Sequence, residues 1–377
     1  MSCAVPPVPR CGICDHDGVI GRALSKSDLV VLTVGVVAVA AAGTMHYADV
    51  PAVLAFVVAG AAVALLASLV GRSVEQLGDR FGPGATGVLQ SALGNLPELF
   101  IGFFALRAGL LAVVQAAIIG SILSNILLVL GLAFLVGGLK HGPQRFDSDR
   151  ARTSTVLMVL ATGALVMPSL AQYVHAPAAP HEKELSLVVS AVLLGVFLLS
   201  LPSALKRSTS PEPAGAPPAA EHDGPRWPLW LAITMLTGAS LAAALVSDWF
   251  VSALEPAITA MGVSQAFAGL VIVAIAGNAI ENVVGIQLAY RNQADFAMSV
   301  IIQSPLQVAL VLAPALVLLS LFTATTLTLV FAPLLVMAVA VAVLATAFIV
   351  FDGESTWLEG VTLIALYAII ATTFWWG

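Results

Sequence analysis

The sequence predicts an all-α polytopic membrane protein with about 11 transmembrane helices, arranged as two inverted five-helix repeats after one N-terminal helix. Composition, the length of the apolar runs and an internal repeat lead to this prediction. Of the 377 residues, 59% are hydrophobic and 10% are charged, with a mean hydropathy of +1.01. A soluble domain has about 25% charged residues. The chain is therefore expected in a lipid bilayer, with no nucleic-acid partner.

The apolar runs are long enough to cross a bilayer, which takes about 20 residues in a helix. They are unbroken and do not alternate with a period of two, so the strands of a membrane β-barrel are excluded. The first 26 residues are polar and show no cleavable signal peptide, so we expect the first span to be retained. The eleven predicted spans lie near residues 28–45, 49–70, 85–107, 110–138, 153–174, 184–205, 227–250, 264–290, 296–320, 326–350 and 355–376.

Basic residues divide unequally between the loops on the two sides of the membrane. One side has only Arg107 and Lys183. Because cytoplasmic loops are enriched in Lys and Arg, this 13-to-2 division predicts a cytoplasmic N-terminus and an external C-terminus, in a multi-pass protein of the cell inner membrane. The 13 residues on the other side are Arg10, Arg22, Lys26, Arg72, Arg80, Lys140, Arg145, Arg150, Arg152, Lys206, Arg207, Arg226 and Arg291.

All three cysteines, Cys3, Cys11 and Cys14, lie in the N-terminal tail. The spacing "CGIC" is typical of a metal knuckle, but no second matching pair follows. A disordered tail with incidental thiols is the favoured interpretation, and no cofactor is expected.

An internal repeat relates the two halves of the chain. "GNLPE" at 94–98 corresponds to "GNAIE" at 277–281, and an offset of 183 residues continues to match polar positions beyond the motif, as in Ser121 and Ser304. Five spans per copy is an odd number, so the second copy enters the membrane upside down. Inverted repeats place the substrate site near the bilayer midplane, where the two copies face each other.

The repeat divides the chain into a series of predicted segments. A linker rich in Pro, Ala and Gly separates the two copies and is expected to be flexible and cytoplasmic. The predicted segments are a cytoplasmic tail at 1–26, an extra transmembrane helix at 27–46, the first repeat at 47–205, the linker at 206–226 and the second repeat at 227–377.

Two carboxylates, Glu98 and Glu281, are the only acidic residues predicted deep inside spans. A charge at the bilayer centre costs roughly 2.5 to 3.5 kcal/mol on insertion scales, so a matched pair needs a reason. One alternative is a pair of protonated structural groups. The favoured hypothesis is a cation site between them, because hard divalent cations take six or more oxygen ligands.

Neighbouring polar residues offer those further oxygens. The alternative for each of them is a hydrogen bond that joins packed helices. Pro97, which removes an amide, is expected to disturb the helix and free carbonyl groups near the site. The predicted ligands besides the two glutamates are Asn95, Asn278, Ser121, Ser124, Asn125, Ser304 and Gln307.

The segments "GNLPELFIGFFALRAGLLAVVQAAIIGSILSNILLVLG" and "GNAIENVVGIQLAYRNQADFAMSVIIQSPLQVAL" resemble the two alpha-repeats of the calcium/cation antiporter superfamily, and are closest to its Ca²⁺/H⁺ exchanger branch. The resemblance implies that Glu98 and Glu281 bind the cation and exchange it for protons. Three features depart from the branch. Asn282 stands where a His is usual, Gln303 stands where a Gly is usual, and the linker contains few acidic residues.

Charge balance favours the same function, because one Ca²⁺ or two H⁺ neutralise two carboxylates. Only a neutralised site can switch at low energetic cost between the inward-open and outward-open forms. We therefore predict a secondary active transporter that exchanges Ca²⁺, or a similar divalent cation, for H⁺. A Na⁺-coupled exchanger (Na⁺/Ca²⁺ or Na⁺/H⁺) and a cation channel remain alternatives. An enzyme is not expected, because it would need a nucleophile with a base or a metal centre, and all six His lie in predicted tails or loops.

Overall fold

The computed structural model describes residues 24–48, 50–80, 89–90, 93–207 and 226–376. The three cysteines and most of the predicted linker lie outside these residues. The helices are α1 (Lys26–Tyr47), α2 (Ala52–Gly78), α3 (Leu96–Arg107), α4 (Leu111–His141), α5 (Ser148–Tyr173), α6 (Glu182–Arg207), α7 (Leu229–Met261), α8 (Gln265–Gly277), α9 (Ala279–Tyr290), α10 (Ala294–Ser320), α11 (Pro333–Val350) and α12 (Trp357–Thr373). A one-turn 3₁₀-helix (Ala179–His181) precedes α6, and two short strands are β1 (Gln144–Arg145) and β2 (Glu354–Ser355).

The all-α class is confirmed, since β1 and β2 are two residues each and form one antiparallel pair outside the long helices. Within the described residues, eight helices are long and apolar enough to span a membrane, and α8 with α9 makes a ninth if this pair, bent by 64°, counts as one span. With 12 and 17 residues, α3 and α12 are shorter. The helices lie where the spans were predicted, but the number eleven stays a prediction.

One predicted span begins too early. The run predicted at 326–350 is helical only from Pro333, and the residues before it are irregular, with Leu329 and Phe331 fully buried. Side chains replace the missing helical hydrogen bonds: Ser186 Oγ accepts from Leu329 N at 2.9 Å, and Ser169 Oγ accepts from Phe331 N at 2.8 Å. Irregular backbone is tolerated inside the protein because side chains satisfy its polar groups.

Another predicted span, 227–250, ends too early. Helix α7 continues to Met261 and has 33 residues, which gives a length of about 50 Å at 1.5 Å per residue. The bilayer core is about 30 Å thick, so α7 extends beyond it. Asp248 therefore lies inside a helix rather than near its end, although its side chain is exposed.

The 183-residue offset holds for the backbone as well as the sequence. Asn95 (φ −93°, ψ 21°) and Asn278 (φ −88°, ψ 22°) have nearly the same conformation, and each is followed by a 12-residue helix, α3 or α9. Helices α4 and α10 contain π-helical segments at corresponding places, Ser124–Val129 and Val308–Leu312. The predicted domain boundaries themselves stay predictions.

Helices α4 and α10 form the centre of the molecule. Residues in their apolar windows are 83% and 72% buried, whereas α1 is only 11% buried. The repeat-related helices α2 and α7 make the most extensive helix–helix contact, in which Phe56 stacks on Phe250 with ring centroids 4.6 Å apart. Helix α1 lies against this pair, and its Asp28 accepts an ion-paired hydrogen bond from Arg72 of α2 at 2.6 Å. The predicted ligands on α4 and α10 are thus enclosed by the other helices.

Candidate cation-binding site

Each of the two predicted carboxylates follows a break in a helix. The carbonyl groups of Asn95 and Asn278 accept the first hydrogen bonds of α3 and α9, from Leu99 N at 3.0 Å and Asn282 N at 3.1 Å. Glu98 and Glu281 then occupy the third residue of these helices. The N–H groups of a first turn have no helical partner and form the positive end of the helix dipole, which favours a negative charge. The breaks therefore help to stabilise carboxylates within apolar surroundings.

Pro97 is not needed to form the break. Pro97 is the second residue of α3, where an amide would have no partner within the helix in any case. The corresponding residue of α9 is Ile280, which is not a proline, yet the backbone at Asn278 matches that at Asn95. The break is therefore a property of both Gly-Asn pairs and does not require proline.

Asn278 links three of the helices around the site. Its Nδ2 donates to Ser121 Oγ at 3.1 Å and to the carbonyl of Ala274 at 2.9 Å. Its Oδ1 accepts from Asn125 Nδ2 at 3.1 Å and from Ser304 Oγ at 3.2 Å. The carboxamide is fully buried and uses both its donor hydrogens and its acceptor. Asn278 therefore holds α4 and α10 against the break between α8 and α9.

Asn95 occupies the corresponding position but makes fewer bonds. Its Nδ2 donates to Gln307 Oε1 at 3.1 Å, whereas its Oδ1 is buried without a partner among the described residues. Glu98 Oε2 and Asn125 Oδ1 are also buried acceptors with no partner in the same part of the chain. Buried polar atoms are almost always paired, so three acceptors without donors favour a cation or water at this place.

Glu98 and Glu281 face cavities of very different size. Glu98 is buried and lines a narrow cavity of about 20 Å³, which has room for about one water molecule. Glu281 lines a cavity of about 1050 Å³, which reaches Ser25 and Arg226 at the end of the molecule where α1 begins. We name these the closed cavity and the open cavity, and this end of the molecule the N-terminal side. One carboxylate is therefore sealed, and the other is accessible from the N-terminal side.

The two cavities occupy corresponding surfaces of the two repeats. Five pairs of lining residues are related by the 183-residue offset, and each pair has one member in each cavity. The fold therefore shows one surface twice, once closed and once open. The pairs are Glu98 and Glu281, Ile101 and Val284, Ala117 and Val300, Ser121 and Ser304, and Val273 and Gln90.

The sodium/calcium exchanger protein family matches residues 51–205 and 231–376. The chain belongs to this family. It is 35% identical over 341 residues to a Ca²⁺/H⁺ antiporter of Synechocystis sp., covering 85% of this chain and 90% of the relative. It is 36% identical to the Ca²⁺/H⁺ antiporter ChaA of Bacillus subtilis, covering 88% of this chain and 93% of the relative. Both relatives are named as antiporters, a class of transporter, and the chain is a multi-pass integral membrane protein.

Solved structures with the same fold support the family assignment. The structure of native YfkE matches with a TM-score of 0.76 at 32% identity, covering 92% of this chain and 99% of that one. The H⁺/Ca²⁺ exchanger CAX matches with a TM-score of 0.73 at 17% identity, covering 93% of this chain and 92% of that one. At this lower identity the match shows the fold alone.

In this exchanger-family chain, the structure brings all nine predicted site residues into one region. Eight are buried, and Glu281 is half-buried in the wall of the open cavity. The Ser124 hydroxyl does not bond another predicted ligand's side chain; it donates to the backbone carbonyl of Ser121 in its own helix at 3.2 Å. Their role as cation ligands stays a prediction.

Sequence reasoning missed several polar residues of the open cavity, among them Gln90 and Gln287, and noted Gln303 only as a departure from the family pattern. The sequence spacing could have indicated that Gln303 lies near the site. It precedes Gln307 by four residues and so lies on the same face of α10.

Proposed function

We propose that this protein is a secondary active transporter that exchanges Ca²⁺, or a similar divalent cation, for H⁺ by alternating access. The observation that carries the proposal is the pair of repeat-related carboxylates, one in a closed cavity and one in an open cavity. The antiporters of Synechocystis and Bacillus subtilis support the choice of ions, since both are named Ca²⁺/H⁺ antiporters and align with most of the chain.

In the proposed cycle the cation binds between Glu98 and Glu281, and no cofactor takes part. Partnerless oxygens of Asn95 and Asn125 supply neutral ligands beside the carboxylates. Ca²⁺ prefers such a mixture of carboxylate and carboxamide oxygens. Binding of one Ca²⁺ displaces two protons, and two protons replace it on the other side, so the site is neutral whenever it changes access.

Alternating access follows from an exchange of conformation between the repeats. If the Glu98 surface opens as the Glu281 surface closes, the same site faces the opposite side of the membrane. We propose that the N-terminal side is cytoplasmic, because the 13-to-2 division of basic residues places it there. The described conformation is then open to the cytoplasm, and the membrane is the cell inner membrane.

A pair of reporter fusions tests this orientation. A reporter after Gly377 should lie outside the cytoplasm, and one inserted within 208–224 should lie inside. Both reporters on the same side would contradict the inverted arrangement.

The transport proposal is tested by ⁴⁵Ca²⁺ uptake into proteoliposomes containing the purified protein. An imposed pH gradient, acidic inside, should drive saturable uptake, and uptake should release protons from the lumen. Collapse of the gradient with a protonophore should abolish accumulation. Uptake driven by a Na⁺ gradient without a pH gradient would show the Na⁺-coupled alternative instead. Non-saturable flux without a counter-ion would show a channel.

A further inference from the structure

Helices α4 and α8 both line the closed cavity, and a glycine in each makes their close contact possible. A Cβ atom on Gly120 would lie only 2.3 Å from the carbonyl oxygen of Leu270, and one on Gly269 would lie 2.4 Å from that of Val113. Real Cβ atoms do not approach backbone oxygens so closely. The two helices therefore touch backbone to backbone, and a side chain at residue 120 would force them apart.

The second repeat has no glycine at the position that corresponds to Gly120. Adding 183 gives Gln303, whose side chain is exposed and lines the open cavity.

Gln303 also lies on the face of α10 that leads to the site. Ser299, Gln303 and Gln307 follow at intervals of four residues and all line the open cavity. Gln307 is the residue that bonds Asn95. The bulky Gln303 side chain thus stands between the mouth of the open cavity and the site, where the first repeat has bare backbone.

We propose that Gln303 sets the resting conformation of this transporter by holding the Glu281 cavity open. Its bulk keeps α10 from making the backbone-to-backbone contact that Gly120 allows α4 to make with α8. The protein therefore rests open to the N-terminal side, and when that side closes it packs less tightly than the Glu98 side does. This inference rests on the proposed alternating access, since it concerns the balance between its two states.

The test measures the reactivity of single cysteines with a maleimide in purified protein, with Cys3, Cys11 and Cys14 replaced by serine. Gln287→Cys reports on the open cavity, and Ala105→Cys, a buried residue of the closed cavity, reports on the opposite side. Each reporter is combined with Gln303→Gly, which copies Gly120, and with Gln303→Leu, which keeps bulk without the amide. Gln303→Ala serves as a second short side chain if the glycine variant does not fold.

Gln303→Gly should slow the reaction of the Gln287→Cys thiol several-fold and accelerate that of the Ala105→Cys thiol, whereas Gln303→Leu should leave both rates unchanged. The proposal is overturned if neither rate changes with Gln303→Gly, or if Gln303→Leu behaves like Gln303→Gly, which would assign the effect to the amide. Ser299→Gly, one turn away on the same face, controls for softening of the helix, and an equal effect there would also overturn the proposal.

These rates are measured without an ion gradient, so they are independent of the proposed function. Absence of Ca²⁺/H⁺ exchange by the unmodified protein in proteoliposomes would refute the function. The labelling comparison would still decide whether Gln303 controls opening.

Discussion

The closed and open cavities are one surface in two states, and they differ mainly in how closely backbones approach. On the closed side, Gly120 lets α4 touch α8, and only about 20 Å³ remains beside Glu98. On the open side, Gln303 lies at the corresponding position, and the cavity beside Glu281 has a volume of about 1050 Å³. Under the proposed alternating access, helix packing controls entry to the candidate site, and no separate gate is needed.

The two surfaces also differ in polarity. Val273, which lines the closed cavity, corresponds to Gln90, and Phe104 corresponds to Gln287; both glutamines line the open cavity. Carboxamide oxygens can replace part of the water around an entering cation, whereas apolar side chains cannot. The repeats are therefore related in backbone but not equivalent in chemistry, and the open cavity has the more polar lining.

The largest effect is expected from the carboxylates, which should be equally essential despite their different exposure. Glu98→Gln and Glu281→Gln each leave a bound Ca²⁺ with one uncompensated charge. Removing one partner of a buried charge pair costs about 3 to 5 kcal/mol, which is at least about a hundredfold in binding. Ca²⁺/H⁺ exchange in proteoliposomes should therefore be lost in both variants.

A matched control separates this effect from a general loss of charge. Glu184→Gln removes an exposed carboxylate from the first turn of α6, away from both cavities, and should leave exchange unchanged. Near-normal, pH-coupled exchange in either Glu98→Gln or Glu281→Gln would refute a site shared by the two carboxylates.

A second prediction tests the packing of the closed side. Gly120→Ala places a methyl group against the Leu270 carbonyl, and overpacking of this kind costs about 1 to 3 kcal/mol. The melting temperature should fall, and the Ala105→Cys thiol should react faster because the α4–α8 contact is loosened. Gly163→Ala is the control, since a Cβ atom there meets nothing within 4 Å. An unchanged melting temperature and thiol reactivity in Gly120→Ala would contradict this account of closure.

The sequence was sufficient to predict which polar residues the fold brings together, because their pattern is repeated. Two Gly-Asn pairs with a glutamate three residues after each Asn stand out against apolar helices, and the 183-residue offset proves structural as well. Other features follow from tertiary contacts that composition does not encode. The segment 326–332 is as apolar as a helix, yet it is irregular because Ser169 and Ser186 satisfy its backbone. Which cavity is open could not be read from two matching motifs.

A third prediction separates Asn278 from its repeat partner Asn95. Asn278 Oδ1 accepts from Asn125, but the residue that corresponds to Asn125 is Val308, which cannot donate to Asn95. Asn278→Ala leaves several buried polar groups unsatisfied, which costs about 1 to 3 kcal/mol for each such group. It should lower the melting temperature more than Asn95→Ala does.

Asn95→Ala should instead mainly raise the KM for Ca²⁺, because it removes a partnerless oxygen beside Glu98. Paired measurements of melting temperature and Ca²⁺-dependent flux on both variants provide the test. Equal losses of stability and equal changes in KM would show that the two asparagines have the same role.

The smallest effect is expected at Asn282, whose backbone N–H donates to the carbonyl of Asn278. Its Oδ1 is buried without a partner in the described part of the chain, and it directly follows Glu281. The corresponding residue of the first repeat is Leu99, so a titratable group at 282 would make the second repeat alone sensitive to pH. Asn282→His introduces an imidazole that is positively charged below about pH 6.5.

A positive charge beside Glu281 opposes Ca²⁺ binding, so the Asn282→His variant should lose exchange activity as the pH falls through about 6.5 and match the unmodified protein at higher pH. The measurement is initial ⁴⁵Ca²⁺ uptake at a series of pH values with a constant pH difference across the membrane. Asn282→Gln, which keeps a neutral carboxamide, should not change the profile. Superimposable profiles for all three proteins would show that residue 282 lies too far from the carboxylates to influence their protons, and would confine the pH-sensitive chemistry to Glu98 and Glu281.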